Sequence, residues 1–389
     1  MTVSAVAPLA ARRSPALPLE VSVASGEQGL LELEADWNRL SAVAEDPFSS
    51  FDWTRTWWEC FGGTGRLKVV VVRDGDGEAL ALLPMVANRL RRYGFSFSSL
   101  GSPWNPHTPR LEPLVADRTY EVCQALWEAL ERRAGRWDVL QLPQLPADSI
   151  VLRHLAPIAT ARGCRIDTAP GSTSPYVPIE TDWATYLGSR SAKHRENLRR
   201  VGRHLEALGE TRLEVVDGGA GLERALDDGF RLEAAAWKGA AGSAILCRAE
   251  VEAFYRRLAR RAAERGWLEL QFLTVGGRRI AFGFSLRYHQ TLYTLKVGYE
   301  PEFGRYSPGM LLMAKALESA FDRGLRAYDL LGETERWKRA WTDSVRPHRW
   351  LFAFRPSPRA RLLHLMKFRL APHLRRDGRE RREVGDAPL

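Results

Sequence analysis

Cysteine is scarce in this 389-residue chain: Cys60, Cys123, Cys164 and Cys247 lie far apart and form no C-x-x-C pair. Such spacing signals neither a disulfide framework nor a structural zinc site. A reducing cytoplasm is therefore the expected compartment, and no metal is expected. Lysine is scarce too, at 7 residues against 50 arginines, a skew that GC-rich coding explains without selection for phosphate-binding forks. Long apolar runs are missing. The strongest, Ala79–Ala87, is interrupted by Pro84 and falls well short of the ~20 residues that a membrane-spanning helix needs, so membrane contact is expected only at the periphery. Near the amino end Arg12 and Arg13 follow a short apolar run instead of preceding it, so residues 1–20 read as a floppy leader and not as a secretory signal.

What is present suits a folded protein with sizeable cores. Hydrophobic residues make up 45% of the chain and aromatics 10%, a composition that excludes disorder and fibrous repeats. At roughly 100–200 residues per domain the length predicts at least two units. The formal charge is +10, but residues 346–383 hold 12 basic and 3 acidic residues and so carry most of it. The body is nearly neutral, which argues against nucleic acid as the expected partner.

Periodicity predicts one layout, repeated. Helical spacing over 29–43 and 52–61 gives way to a hairpin, 67–73 and 78–86, around the turn signal Asp74–Gly77; a Gly/Pro/Asn-rich loop, a helix at 120–134 and a strand at 137–142 follow. After Tyr176 come helices over 183–208, 221–238 and 251–265, a hairpin 268–275/280–289, a strand 291–298, a helix 308–323 and a strand 326–331. LKVVVVRDGDGEALALLPMV parallels LELQFLTVGGRRIAFGFSL, and RWDVLQL parallels LRAYDLL. The expectation is a tandem duplication of a mixed α/β unit, an N-terminal copy at 21–170 and a C-terminal copy at 171–355, joined through the linker-like TAPGSTSP and followed by a basic tail at 356–389.

Only the second copy has a loop suited to a polyanion. In YEPEFGRYSPGMLL a strand ends, Arg305 follows Gly304, and Ser307, Pro308 and Gly309 open an amphipathic helix. Ser307 suits the N-cap, Pro308 the first helical position, and Gly309 close approach of a ligand to the backbone. The unpaired amides and positive dipole of a helix start favour phosphate, here at residues 307–311, Met310 among them. The first copy begins its corresponding helix with Asp117-Arg118-Thr119-Tyr120, which has no glycine. The first copy is therefore expected to be structural.

The run LKVGYEPEFGRYSPGMLLMAKALESAFDRGLRAYDLLGETERWKRAW, with RLEAAAWKG and SAKHRENLRRVGRHL, resembles the GNAT-type acetyltransferase domain of the family named for the cellulose-biosynthesis protein CelD. The arrangement is also similar to the Fem-type peptidoglycan aminoacyltransferases, which pair two GNAT-like units. The resemblance implies a tandem GNAT fold and direct acyl transfer from acetyl-CoA or another acyl-CoA to an amine or hydroxyl, with a small-molecule or glycan-intermediate acceptor. Charged tRNA is the alternative donor, and a non-catalytic GNAT-like scaffold is the alternative to an enzyme. The usual pyrophosphate signature, Arg/Gln-x-x-Gly-x-Gly/Ala, is replaced here by Phe303-Gly304-Arg305-Tyr306-Ser307-Pro308-Gly309.

Candidate catalytic residues are Glu233, a possible base; Asp329, a carboxylate ending an apolar strand, where desolvation favours proton uptake; and Lys338, placed by the Fem likeness to support charge on the acyl oxygen. Trp237 and Lys238, with Lys193 and Arg199 of the basic helix, are expected to meet an acidic acceptor. One of Tyr288, Tyr293, Tyr299 and Tyr306 is expected to protonate the departing thiolate. The tail PRARLLHLMKFRLAPHLRR mixes leucine with arginine in a way that suits an anionic membrane surface.

Overall fold

Runs of β-branched and aliphatic residues, buried on both faces, form the centre of the molecule. A computed structural model describes residues 18–235 and 242–370. Val69–Val72 are all buried in strand β2 (Arg66–Arg73), as is every residue of β9 (Leu268–Val275). Such strands need cover on both sides, and helices supply it.

The remaining strands are β1 (Glu20–Ser25), β3 (Ala79–Arg92), β4 (Phe95–Gly101), β5 (Leu114–Val115), β6 (Val139–Pro146), β7 (Arg165–Pro178), β8 (Thr211–Val216), β10 (Arg278–Tyr288), β11 (Thr291–Tyr299), β12 (Ala327–Asp329) and β13 (Val345–Phe354). They form one mixed sheet in the order β1-β2-β3-β4-β6-β13-β7-β12-β11-β10-β9-β8, with β5 on β3. The duplication is visible in the pairing. Antiparallel β2, β3 and β4 lead to a parallel pair, β4 with β6, just as β9, β10 and β11 lead to β11 with β12. A crossover helix joins each parallel pair, Thr119–Arg132 in the first copy and Pro308–Asp322 in the second. This is a tandem GNAT-like arrangement of mixed α/β type.

The seam differs from the expectation drawn from composition. TAPGSTSP lies in the middle of β7, paired along β13 from Thr168 opposite Leu351 to Pro175 opposite Val345. Its small residues serve close packing: a Cβ on Gly171 would stand 2.7 Å from Gln144 Oε1 and 2.9 Å from the His348 carbonyl carbon. The strands at the seam are also exchanged. β7, which follows the first copy, pairs with β12 of the second, and β13, which follows the second, pairs with β6 of the first.

Side chains reinforce the seam. The helix Phe51–Phe61 packs on the helix Ala249–Glu264, with Trp53 5.3 Å from Phe254 between ring centroids. Glu59 pairs with Arg257 and Arg261 at 2.8 and 2.7 Å. Deeper in, Arg110 of the loop after β4 reaches Asp329 at 2.6 Å and Asp46 at 3.5 Å, while Arg346 of β13 reaches Asp329 at 2.9 Å. Arg110 and Asp329 are both buried, so each needs the other. Among the described residues no helix is long and apolar enough to cross a membrane.

Removing one partner of a buried pair strands the other charge. Arg110→Ala is therefore expected to cost about 3–5 kcal/mol of unfolding free energy, read by urea denaturation. A loss within experimental error would show that the pair does not hold the copies together.

Candidate active site

Two parallel strands that separate create the site. β11 and β12 pair over only three residues, from Thr291 opposite Ala327 to Tyr293 opposite Asp329. Immediately beyond, Leu295 has no counterpart on β10: Phe284 faces Lys296 and Ser285 faces Thr294. An extra residue of this kind bends and twists its strand. The chain after β12 turns the other way, with Leu331 and Gly332 at φ 51° and 61° and Leu330 N–H bonded to Pro175 O at 3.0 Å. The result is a wedge at the carboxyl ends of parallel strands, a common place for ligands in α/β sheets.

In the first copy β4 also pairs with β6 over three residues, from Ser99 opposite Val139 to Gly101 opposite Gln141, but β4 ends there whereas β11 runs on to Tyr299, and a carboxylate, Glu121, occupies the first turn of its crossover helix. The helix Pro308–Asp322 has no acid in its first turn. Electrostatics thus favour an anion in the second copy only.

The start of that helix departs from expectation in one respect. Ser307 adopts a left-handed conformation, φ 48° and ψ 53°, and its side chain makes no cap bond. A 3-10 run, Pro301–Tyr306, precedes it, and the chain must reverse within a single residue. Ser307 contributes its carbonyl instead, accepting from Met310 N–H at 3.0 Å. Beneath the turn lies the Tyr299 ring, 3.6 and 3.9 Å from where a Cβ on Gly304 or Gly309 would stand. Arg305 is exposed, its guanidinium 4.6 Å from the Tyr306 ring.

The helix Ala192–Glu206 brings in groups that sequence reasoning did not single out. Asn197 Nδ2 donates to Met310 Sδ at 3.2 Å, and Arg200 donates to Asn197 Oδ1 at 2.8 Å. Lys193, Asn197, Arg200 and His204 recur at three- and four-residue spacing, a stripe that faces the 300–307 loop, with His204 6.5 Å from Tyr306. Arg199 lies roughly 100° round the helix and pairs with Glu196 at 3.6 Å, both exposed. The basic residues of this helix therefore divide between two faces. Helical phase in the sequence carried that information.

On the other side of the sheet, the helix Leu222–Ala235 lies close to β11 because Gly298 permits it: a Cβ there would sit 2.4 Å from Glu233 Cα. Glu233 is fully buried and accepts from Ile245 N–H at 2.8 Å, with Lys296 Nζ 3.9 Å from its Oε1. Lys296 also stands 5.5 Å from the Tyr255 ring, and the Tyr255 hydroxyl lies 3.4 Å from His107 Nδ1. Burial, with the positive charges of Lys296 and Arg248, lowers the His107 pKa to about 3, so this ring is neutral at ordinary pH. Burial and the Glu233 carboxylate raise that of Tyr255. Lys296 had a sequence signal, a cation within the apolar run of β11; His107, contributed by the first copy, had none.

The remaining candidates sit under the wedge. Asp329 accepts from Arg110, Arg346 and Leu331 N–H, the last at 2.9 Å. A carboxylate held by two guanidiniums and a backbone amide anchors the copies to each other, and both its oxygens are occupied. Lys338 is buried, and its ammonium meets Leu331 O at 2.7 Å, Glu333 O at 3.1 Å and Glu335 Oε2 at 3.5 Å. Three protons with three acceptors leave none for an acyl oxygen; the residue instead holds the turn after β12. Burial lowers its pKa, with Glu335 opposing. Tyr288 and Tyr293 donate to Ser41 O and Glu45 O at 2.9 and 2.7 Å, which leaves Tyr299 and Tyr306 near the helix start. Trp237 and Lys238 lie outside the described residues. No group of three or more His, Cys, Asp or Glu side chains suited to a metal occurs among the described residues.

Comparison with known proteins agrees with the fold. Residues 192–339 match the model of the acetyltransferase (GNAT) domain. That span holds the wedge, the Pro308 helix, Glu233 and Lys338. The crystal structure of FemX is similar over 88% of this chain and 99% of its own, at 12% identity and a TM-score of 0.57. The C-terminal domain (DUF2156) of a putative lysylphosphatidylglycerol synthetase from Agrobacterium fabrum is similar over 86% and 95%, at 12% identity and a TM-score of 0.53. A conserved protein of unknown function from Bacteroides thetaiotaomicron VPI-5482 reaches a TM-score of 0.51 at 12% identity, over 82% and 97%. At such identities the likeness concerns the fold. No curated protein matches by sequence.

Lys338→Met leaves the Leu331 and Glu333 carbonyls without their donor. It is expected to cost about 1–3 kcal/mol in chemical denaturation, and undiminished stability would contradict the role given to Lys338 here.

Proposed function

We propose that the chain is an acyl-CoA-dependent acyltransferase whose donor binds in the wedge between β11 and β12, with its diphosphate at the start of the Pro308 helix. The observation that carries this reading is the coincidence of splayed parallel strands with a helix start that has no acid in its first turn and has Arg305 and Arg200 beside it. The residues fit such a donor. Pro308 has no N–H and Met310 gives its own to Ser307 O, so Gly309 offers the amide of the first helical turn, Gly304 and Gly309 keep the surface low over Tyr299, and exposed guanidiniums complete the charge balance. The pantetheine arm would run along the part of β11 beyond Tyr293, where β12 no longer pairs.

For the chemistry, the acceptor's amine or hydroxyl attacks the thioester carbonyl, a C–N or C–O bond forms and the C–S bond breaks. Glu233 takes the acceptor's proton, directly or through water, with Lys296 close enough to balance its charge. Asp329 and Lys338 fix the strand end and the turn that flank the reacting atoms, acting as positioning residues. The thiolate would leave at the Thr294 end of the pantetheine arm, away from Tyr299 and Tyr306 at the helix start, so neither tyrosine is assigned its proton. Acetyl is the proposed acyl group. The likeness of residues 295–341 to CelD-type proteins supports an exopolysaccharide or envelope intermediate as acceptor, reached along the Lys193–Arg200 stripe, in the cytoplasm.

Calorimetric titration with acetyl-CoA tests the donor site. Wild type is expected to bind, and Gly309→Glu at least about tenfold more weakly with its melting temperature kept, because a Cβ at 309 meets only ordinary contact. Equal affinities would remove the site, and heat from aminoacyl-tRNA in place of any thioester would favour the other donor. In turnover, Glu233→Gln is expected to lower kcat by about 10²–10⁴ with little change in donor affinity. Full activity would exclude Glu233 as the base.

A further inference from the structure

The carboxyl-terminal helix carries a surface that acyl transfer does not use. Residues Pro358–Leu370 form a continuous helical segment that is anchored by buried Ala360 and Leu363. Its other side is unusual for a soluble surface: Leu362, Leu365 and Leu370 are 47%, 44% and 44% exposed. Arg361, Leu362, Leu365 and Arg369 recur at the spacing of one helical face, and the segment contains four basic residues and no acidic one.

Beside that face a cleft of about 340 Å³ opens between the helix, the start of β7 and the end of β13, lined by Arg165, Arg355, Arg361, His364 and Arg369. Four guanidiniums meet around it. Nearby Asp167 is occupied by His364 at 2.8 Å and by Arg165 at 3.8 Å. Among the described residues no carboxylate lies within ion-pair distance of Arg361 or Arg369. Arg355 is held by Leu130 O and Glu131 O, at 3.3 and 2.6 Å, and stacks on Trp137 at 4.5 Å, so the floor of the cleft is fixed.

We propose that this face docks on an anionic phospholipid bilayer, with a lipid phosphate seated among Arg165, Arg355, Arg361 and Arg369 while Leu362 and Leu365 enter the boundary between headgroups and acyl chains. Charge complementarity selects a phosphate. The exposed leucines select a bilayer over a nucleic acid or a free anion, because only a bilayer offers them an apolar phase. The inference stands independently of the acyltransferase reading.

The full chain is to be sedimented with phosphatidylcholine vesicles, and with vesicles in which about a third of the lipid is phosphatidylglycerol. Binding is expected to the second only. Arg361→Ala/Arg369→Ala is expected to lower partitioning about thirtyfold, near fivefold for each arginine at an anionic surface. Leu362→Ser/Leu365→Ser is expected to lower it at least about tenfold. Thermal melts should match wild type, since all four positions are exposed. Three results would overturn the proposal: equal binding to neutral vesicles, vesicle binding unchanged in both variants, or loss in the arginine variant alone. The last, accompanied by binding of inorganic phosphate or poly-uridine RNA, would assign the cleft to a free anion or to nucleic acid.

Discussion

The parting of β11 from β12 is the constraint on which the site depends. Had the two strands stayed paired to their ends, their amides and carbonyls would have satisfied one another and the Pro308 helix would have started above a closed sheet. The bulge at Leu295 and the left-handed Leu331-Gly332 turn bend the two chains in opposite directions, so backbone beyond Tyr293 faces a gap. The helix that crosses over this gap brings its positive end to the same place. The first copy supplies a contrast within one molecule: β4 and β6 also pair over three residues, but β4 ends where that pairing ends while β11 runs on to Tyr299, and Glu121 stands in the first turn of its helix.

An opening in a sheet weakens it locally, and the copies are joined in a way that offsets this. Each lends a strand to the other's side of the seam, β7 beside β12 and β13 beside β6. The buried Arg110–Asp329 pair, with Arg346, then fixes the end of β12 from two directions. Buried ion pairs contribute little net stability but penalise misplacement heavily, since a shift of either partner leaves a charge without its counterion. The first copy is thus more than ballast. It supplies Arg110 and His107, so the site is assembled from both copies.

Much of the fold was legible because most elements announce themselves by period and punctuation. The Asp74–Gly77 turn, the all-buried β9 and the Pro308 helix fall close to where pattern places them. Two readings differ for one reason. Composition made TAPGSTSP a linker and periodicity gave no strand over 345–354, yet both are strands at the seam, where small residues and prolines are tolerated because close approach and bulges are required. Local sequence does not encode a partner strand some 170 residues away. Likewise Asp329 and Lys338 looked catalytic from their neighbours in the chain, while their occupation by Arg110 and by the Leu331 and Glu333 carbonyls is a tertiary fact. The start of the Pro308 helix, in contrast, was legible because its signals belong to a single segment, although the conformation of Ser307 was not.

The most direct measurement is a crystal structure of the chain grown with coenzyme A. The account predicts density for the diphosphate against the Gly309 amide, near Arg305 and Arg200, and for the pantetheine along β11 between Thr294 and Tyr299. Coenzyme A bound elsewhere on the molecule, or an empty wedge at saturating concentration, would contradict it.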